Sequence, residues 1–426
     1  MSVPRRDIIV IGGGLAGLVV ARELSAAGRA VTLLEARSRL GGRAYYDAIE
    51  GTDEFVELGG NWIDPHYQPL IAAEIDRYGL ELVHGDPGTE QRIVIGGQAL
   101  IGPLPVPQTD IIELERAVWE CLAASRRIEY GTPWEEQDLD DLDVSWAEYV
   151  RGFDLSPAVE EYLMTWTSAS DPEQSSALNI LVLFATFRHS AWAAYNSIKL
   201  KLAGGTASLV DAIAADVRAE VHLDAVVTHV EQSAEEVVVT TLDDKSFTAA
   251  KAILATPVNT WADITFTPPL SEAKQMVARC KHVGTGQQVW MQLTGMPAGG
   301  VSGWGSGKGV NWLVRDRQLP EGGDLYLGFT GAGRLDVDDH DSVRDAVRVF
   351  APDAEVTRTF EHDWLADPFA KGVWAVFRPG HFTRLHTELS RPEDRLHFAG
   401  ADLSFGLQLW MEGAFETAFR VANRLR

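Results

Sequence analysis

The chain has 426 residues, enough for two domains or for one large interleaved unit. Its net charge of −24 argues against nucleic acid and anionic membranes as partners. Although 46% of its residues are hydrophobic, no segment approaches the ~18 uninterrupted apolar residues of a membrane-spanning helix. Cys121 and Cys280 lie in surroundings that suggest neither a metal site nor a redox pair, and so few thiols suit a reducing cytoplasm.

The first predicted elements form a strand–turn–helix–strand unit. Residues 8–11 are an apolar run of the length of one buried parallel strand. Residues 12–17 read Gly-Gly-Gly-Leu-Ala-Gly, and the apolar spacing behind them predicts a helix that ends near Gly28. A second apolar run, at 31–34, stops at Glu35. This order of elements is typical of a dinucleotide-binding unit.

The glycines of this turn have distinct expected roles. Gly12 permits the tight turn, Gly14 lets backbone N–H groups approach a pyrophosphate, and Gly17 lets the helix pack closely on the strand. Glu35 lies 21 residues after Gly14 and can accept hydrogen bonds from a ribose. A glycine pattern alone also occurs in ordinary loops, but the flanking strands and the acid favour a dinucleotide site.

The next stretch combines short strands with one helix. Residues 55–62 predict a strand that runs into Gly59 and Gly60, whose missing side chains would let the backbone lie against a flat ring. Residues 65–78 predict a helix that ends at a glycine, and residues 93–100 predict a hairpin around Gly-Gly.

The middle of the chain is predicted to be helical and rich in aromatic residues. Apolar spacing predicts a helix over 109–130, and the capping box that begins at Ser145 predicts the start of another. Residues 157–195 read as helical throughout, and most of their aromatic side chains are expected in the core. The first candidates for lining a pocket instead are Phe187, His189 and Tyr195.

The second half alternates strands and helices and ends in a second glycine-rich anchor. The predicted helices are 205–217, 270–282, 340–350 and 411–426, and the predicted strands are 221–223, 225–230, 237–242, 252–254, 287–293, 355–361, 373–377 and 395–398. A turn at 399–402, Ala-Gly-Ala-Asp, separates the last strand from the last helix.

Six motifs occur in order along the chain. They are the glycine turn 12–17, Leu-Gly-Gly-Arg at 40–43, the pair at 59–60, Ala-Thr-Pro at 255–257, Ala-Gly-Ala-Asp at 399–402 and Met-Glu-Gly-Ala at 411–414. With this set the chain resembles the flavin monoamine oxidases, a family of FAD-dependent amine oxidases. The resemblance implies an α/β fold in which a Rossmann-like FAD-binding domain is interleaved with an α+β substrate domain, as in glutathione-reductase-like flavoproteins.

The resemblance also implies domain boundaries and cofactor contacts. It assigns residues 1–80, 195–270 and 372–426 to the FAD domain, and residues 81–194 and 271–371 to the substrate domain. The implied FAD contacts are Gly12, Gly14, Gly17, Glu35, Arg37, Gly42, Arg43, Gly59, Gly60, Asn61, Trp62, Val226, Asp402 and Met411. Val227 is the alternative to Val226, and a helix N-cap is the alternative role of Asp402. Because Val373 stands where some members carry a flavin-linked Cys, the FAD is expected to be noncovalent.

The family places two aromatic side chains in front of the flavin to orient the amine. The matching residues are Trp374 and Trp410, unless both are ordinary core tryptophans. Members usually carry a lysine that holds a water at flavin N5, whereas the matching position here is Gln288. An amide can hold a water but supplies no positive charge. Further pocket candidates are His189 and Trp312, and no metal is expected.

The resemblance implies oxidation of a small secondary or cyclic amine, nicotine-type or related, by hydride transfer to the flavin and hydrolysis of the imine. Electrons would pass to O2 or another acceptor, and the chain could form a homodimer. Gln288 leaves open a second reading, a flavin-dependent desaturase or oxidase of a non-amine. A third is a flavoprotein without catalysis.

Overall fold

The computed structural model describes residues 6–102, 104–167, 170–306, 309–331 and 333–426. The strands in this part are β1 (Arg6–Ile11), β2 (Val31–Leu34), β3 (Tyr46–Ala48), β4 (Phe55–Glu57), β5 (Leu82–His84), β6 (Glu90–Ile95), β7 (Gln98–Ile101), β8 (Leu200–Leu202), β9 (Glu220–His222), β10 (Val227–Gln232), β11 (Val237–Thr241), β12 (Ser246–Leu254), β13 (Thr265–Thr267), β14 (Gln288–Thr294), β15 (Val301–Gly305), β16 (Val310–Gln318), β17 (Asp324–Thr330), β18 (Glu355–Phe360) and β19 (Leu396–Phe398).

The helices are α1 (Leu15–Ala26), α2 (Pro69–Tyr78), α3 (Ile111–Ser125), α4 (Trp146–Arg151), α5 (Pro157–Met164), α6 (Leu178–Thr186), α7 (Ala191–Asn196), α8 (Gly205–Asp216), α9 (Glu272–Cys280), α10 (His340–Arg348), α11 (Thr387–Ser390) and α12 (Met411–Leu425). Within the described residues, no helix is both long enough and apolar enough to cross a membrane.

The first sheet is built around β1, which pairs in parallel with β2 and with β12. The strand order is β13-β10-β11-β12-β1-β2-β9, and β19 adds to β12. Its strands come from the start, the middle and the end of the chain, so the sheet is complete only when three separate segments of the chain are paired. Helices α1, α8 and α12 pack together against one face of this sheet. The predicted α/β fold with a Rossmann-like unit is confirmed.

Helix α1 shows why the local prediction works. It begins after Gly14, carries buried apolar residues such as Leu18, Val19 and Leu24 towards the core, and ends before Gly28, whose φ is +86°. Each such side chain contributes roughly 1.5–3 kcal/mol by leaving water. Glycine tolerates the left-handed backbone that ends the helix.

The second sheet has the strand order β18-β14-β17-β16-β15-β6-β7. Its pairs are antiparallel except β15 with β6, which is parallel. One face packs on α10 through a separate apolar cluster, and the other contributes the aromatic residues described below. Strand β16 lies at the centre of this sheet. The precise domain boundaries stay a prediction, and residues 1–5, with which the predicted FAD domain begins, lie outside the described residues.

Two predicted elements are wrong. The segment 373–377 forms no strand. Its backbone groups bond instead to three different segments, through Arg43 Nη1 (2.8 Å), Val283 N (3.0 Å) and Asn179 Oδ1 (3.1 Å). The region 157–195 divides into α5, α6 and α7 rather than staying helical, and its residues 168–169 lie outside the described part. Helix α6 ends where Arg188 and His189 take left-handed φ angles of +55° and +59°.

Candidate active site

A cavity of about 1100 Å³ lies between the two sheets and the helices α6 and α7. Its lining includes the glycine turn after β1, the segment that follows β4, the cavity face of the second sheet and the segment before α12. Of the site residues and pocket candidates predicted from the sequence, all line this cavity except Gly17, Phe187 and His189. The structure therefore brings together residues that are up to about 400 positions apart in the chain.

The glycine turn has the shape that a pyrophosphate requires. Gly12 has φ +104°, and a Cβ there would lie 2.9 Å from the carbonyl oxygen of Ala255. A Cβ on Gly17 would lie 1.9 Å from the carbonyl oxygen of Gly12, which explains why the helix can approach the strand only without it. A Cβ on Gly14 would meet no atom closer than 3.9 Å, so this residue leaves its cavity side open at the N-terminus of α1.

Glu35 holds the turn that it follows. Its carboxylate accepts the N–H of Gly13 at 2.6 Å and that of Arg37 at 2.9 Å, and the side chain is buried at the cavity wall. The guanidinium of Arg37 pairs with Asp367 at 2.6 Å. Burial pushes the pKa of Asp367 upward, but the hydrogen bonds from His362 and Arg37 hold that pKa below its ordinary value. The Arg37 charge is thus fixed beside the acid that is predicted to meet the ribose.

Arg43 and Asp402 form an ion pair between the two ends of the chain, in which Asp402 is buried and Arg43 is partly exposed. Arg43 Nη2 donates to Asp402 Oδ1 at 2.6 Å, and Val258 N donates to Oδ2 at 3.0 Å. Burial favours the neutral acid, but the charge of Arg43 and the contact with the nearby imidazole of His282 outweigh burial and hold the Asp402 pKa below its ordinary value. Both residues line the cavity, and Asp402 is not the cap of α12, because the N-cap position of that helix is Trp410.

The cavity walls fit a flavin dinucleotide. Buried polar atoms without a protein partner among the described residues include Asn61 Oδ1, Thr256 Oγ1, Gln408 Oε1 and Trp410 Nε1, and all four side chains line the cavity. Unpaired buried donors and acceptors are costly, so they indicate a polar ligand. At Gly60 a Cβ would lie 3.2 Å from Met411 Sδ, so the backbone here passes close to α12. No cluster of metal-binding side chains is present in the described part of the chain.

Three aromatic side chains lie side by side on neighbouring strands of the second sheet. Trp304 faces Trp312 across β15 and β16, and Trp312 faces Phe329 across β16 and β17. Their ring centroids are 5.0 Å and 4.9 Å apart. We call Trp304, Trp312 and Phe329 the aromatic row. Gln288 on β14 lies opposite Phe329 and continues the row with an amide.

Trp374 and Trp410 line the cavity from different sides. Trp374 contacts Phe329 with ring centroids 6.0 Å apart, so it stands against the aromatic row. Trp410 comes directly before α12 and contacts Phe187 at 6.0 Å. Trp62 packs on Trp312 at 5.0 Å and adds to the same wall. The geometry is compatible with the orienting role that the resemblance implies for the two tryptophans.

His189 is a correction, because it lies outside the lining of the cavity. Its backbone is left-handed and its Nδ1 lies 3.0 Å from Ser125 Oγ, so the ring faces α3. Sequence reasoning did not single out Trp304 or Phe329. The apolar run 325–329 behind Gly-Gly-Asp carried a strand signal that would have placed Phe329, whereas the position of Trp304 depends on cross-strand register.

Glu57 is a buried acid beside this site and gives a pH-dependent prediction. Its carboxylate accepts hydrogen bonds from Thr206 N at 2.6 Å and Thr206 Oγ1 at 2.7 Å. Burial nevertheless raises the pKa of Glu57 to about 8. Between the ordinary carboxyl pKa and pH 8, the folded chain therefore holds a proton that the unfolded chain releases. Stability from this group is present at low pH and is lost as the pH rises through that window.

We expect the Glu57→Gln variant to lose this pH dependence. In the wild type, Glu57 should lower the free energy of unfolding by up to about 1.4 kcal/mol per pH unit between pH 5 and 8. Glutamine is neutral at every pH, so this contribution to the slope should vanish in the variant. Urea unfolding at several pH values measures both slopes, and equal slopes would contradict the assigned protonation.

The family model described as flavin containing amine oxidoreductase matches residues 15–426. The (S)-6-hydroxynicotine oxidase of Paenarthrobacter nicotinovorans is 37% identical over 424 residues, which cover 98% of this chain and 99% of the relative. Pseudooxynicotine dehydrogenase from a Pseudomonas species is 32% identical over 442 residues, which cover 99% of this chain and 87% of the relative.

A solved structure shares the fold over its full length. Cyclohexylamine oxidase from Brevibacterium oxydans superposes with a TM-score of 0.86 and is 20% identical, and the match covers 99% of each chain. At this identity the likeness shows the fold alone. The architecture described above is therefore one that a solved amine-oxidase structure shares.

Proposed function

The chain belongs to the flavin-containing amine oxidoreductases and uses FAD, and from this premise we propose that it oxidises a small secondary or cyclic amine that carries an aromatic ring. The two relatives described above are named for 6-hydroxynicotine, whose pyrrolidine nitrogen is tertiary, and pseudooxynicotine, which is a secondary amine. Nicotine-type amines are therefore the first candidates, and those with a secondary nitrogen come before the tertiary ones. We assign O2 or another electron acceptor as the second substrate. The predictions of a cytoplasmic location and of a homodimer stay predictions.

The observation that carries this proposal is the aromatic row beside the cavity. This row presents apolar faces along one wall of the cavity. Binding is stabilised when apolar substrate surface covers these faces and removes them from water. No charged side chain of the second sheet lines the cavity in the described part of the chain. A substrate with a second ammonium group would find no carboxylate on this wall, which favours an amine with an apolar aromatic body.

The roles of the residues follow from their positions. FAD supplies the hydride acceptor when it is bound. We propose that Trp374 and Trp410 orient the amine, and that the aromatic row and Trp62 exclude water from it. The imine that forms would then hydrolyse in water. We propose further that the FAD is noncovalent, because Val373 offers no sulfur for a link.

Anaerobic reduction of the flavin tests the function directly. We expect secondary aromatic amines to bleach the visible flavin absorbance of the holoenzyme without oxygen, whereas aliphatic diamines should do so poorly. The panel includes alcohols and phenols of the same size, because Gln288 motivated a non-amine alternative. Bleaching by these compounds, with none by any amine, would overturn the proposal.

A further inference from the structure

The aromatic row ends in a single polar side chain. Gln288 lies opposite Phe329 in the antiparallel pair of β14 and β17, is only 7% exposed and lines the cavity. The row and Gln288 thus form one continuous wall on four neighbouring strands, with three aromatic faces followed by one amide. A ligand that lies along this wall would place its ring on the aromatic side chains and a polar group at the amide.

The orientation of the Gln288 amide is fixed by one backbone carbonyl. Its Nε2 lies 2.9 Å from the carbonyl oxygen of Glu57, which can only accept hydrogen bonds, so the nitrogen must be the atom that faces it. Trp290 Nε1 donates to the same oxygen at 2.7 Å. If the amide turned over, its own oxygen would face this carbonyl oxygen and the hydrogen bond would be lost. Its Oε1 is therefore directed away from Glu57.

Gln288 Oε1 is an unused acceptor. No donor among the described residues bonds to it, although the side chain is nearly buried. The described charged residues that line the cavity are Glu35, Arg37, Arg43, Asp263, Lys371 and Asp402. Arg37, Arg43 and Lys371 are paired with Asp367, Asp402 and Asp263 respectively. None of these cations belongs to the sheet that carries Gln288, so a neutral oxygen meets the ligand at the end of the row.

We propose that Gln288 Oε1 accepts a hydrogen bond from the N–H group of the substrate amine and thereby makes the site selective for amines that carry an N–H. This inference rests on the proposed function and adds a specificity-determining residue to it. A lysine at this position could only donate, and would not bind a neutral amine N–H in this way. A tertiary amine in its neutral form has no N–H and would leave Oε1 unpaired, which is costly in a buried site.

The test compares one aromatic secondary amine with its N-methyl derivative. Both react with wild-type holoenzyme without oxygen at one pH, and each apparent Kd is expressed as a concentration of the neutral amine, calculated from the pKa of that amine. The ratio of the flavin reduction rate to the apparent Kd should favour the secondary amine by about tenfold, which is the usual value of one hydrogen bond in a buried site. Equal ratios for the two amines in the wild type would overturn the proposal without any variant.

Two variants separate recognition from a structural effect. In Gln288→Leu the preference should fall to about one, while the FAD spectrum is retained. Gln287→Leu is the matched control, since Gln287 bonds to Leu335 and Glu361 and does not line the cavity. It should keep the preference even if the protein becomes less stable. If Gln288→Leu slows both amines by the same factor, the proposal is overturned, while reduction by either amine still supports the proposed function.

Discussion

The Gly17→Ala variant is expected to unfold more easily than the wild type by about 3 kcal/mol and to retain no FAD. A Cβ at this position would lie 1.9 Å from the carbonyl oxygen of Gly12. Gly12 cannot yield, because the backbone of Ala255, the residue after β12, is packed so close that a Cβ on Gly12 would lie 2.9 Å from its carbonyl oxygen. The first turn of α1 must therefore move away from β1, and the phosphate-binding turn moves with it.

Gly14→Ala is the matched control, because it adds the same methyl group in open space. Its nearest neighbours would be Gly41 O and Gly42 Cα, both at 3.9 Å. The flavin-free variant should therefore stay within about 1 kcal/mol of the wild type, the usual cost of changing a helix cap. The added methyl group lies where the pyrophosphate must approach, so FAD affinity should fall about a hundredfold.

Thermal unfolding of flavin-free protein and titration with FAD separate the two effects. Without FAD, Gly17→Ala should unfold at a lower temperature than the wild type, whereas Gly14→Ala should match it. When FAD is added to both proteins, Gly14→Ala should also unfold at a lower temperature than the wild type. If Gly17→Ala is as stable as Gly14→Ala, the close contact of α1 with β1 is not the function of this glycine.

The N-terminal unit and several later elements could be predicted because their determinants are local. The glycine spacing, the capping residue of α4 and the hairpin of β6 and β7 each depend on a few neighbouring residues, and the structure confirms all three. The hydrophobic period of α1 and the glycine after it are likewise local. Such elements are specified before any long-range contact forms.

The candidate site was only partly predictable because its contacts are non-local. The hydrogen bond from Gln288 to the carbonyl of Glu57 joins residues 231 positions apart. The aromatic row depends on the register of three strands, and a shift of one residue would turn its side chains to the opposite face. The wrong strand prediction at 373–377 has the same origin. The backbone groups of this apolar segment bond to three segments that are distant in the chain, and not to a neighbouring strand.

After chemical reduction, the flavin of the Gln288→Lys variant is expected to be reoxidised by air about tenfold faster than the flavin of the wild type. Reduction of oxygen places negative charge on it, and a nearby cation stabilises that charge. The described cations that line the cavity, Arg37, Arg43 and Lys371, are each held by a carboxylate. A lysine at position 288 would bring the positive charge that the site lacks, although burial will lower the pKa of this lysine.

The same variant should lose activity in the other half of the reaction. The ammonium group of the lysine cannot accept a hydrogen bond from the N–H of the amine. Anaerobic reduction of the flavin by a secondary amine should therefore become slower, while reoxidation of the flavin by air becomes faster. Reduction with dithionite followed by mixing with aerated buffer measures the second rate without any amine. Gln288→Met is the control, because it has similar length and no charge and should stay as slow with oxygen as the wild type. If lysine and methionine give the same rate with oxygen, the missing charge at position 288 does not limit oxygen use.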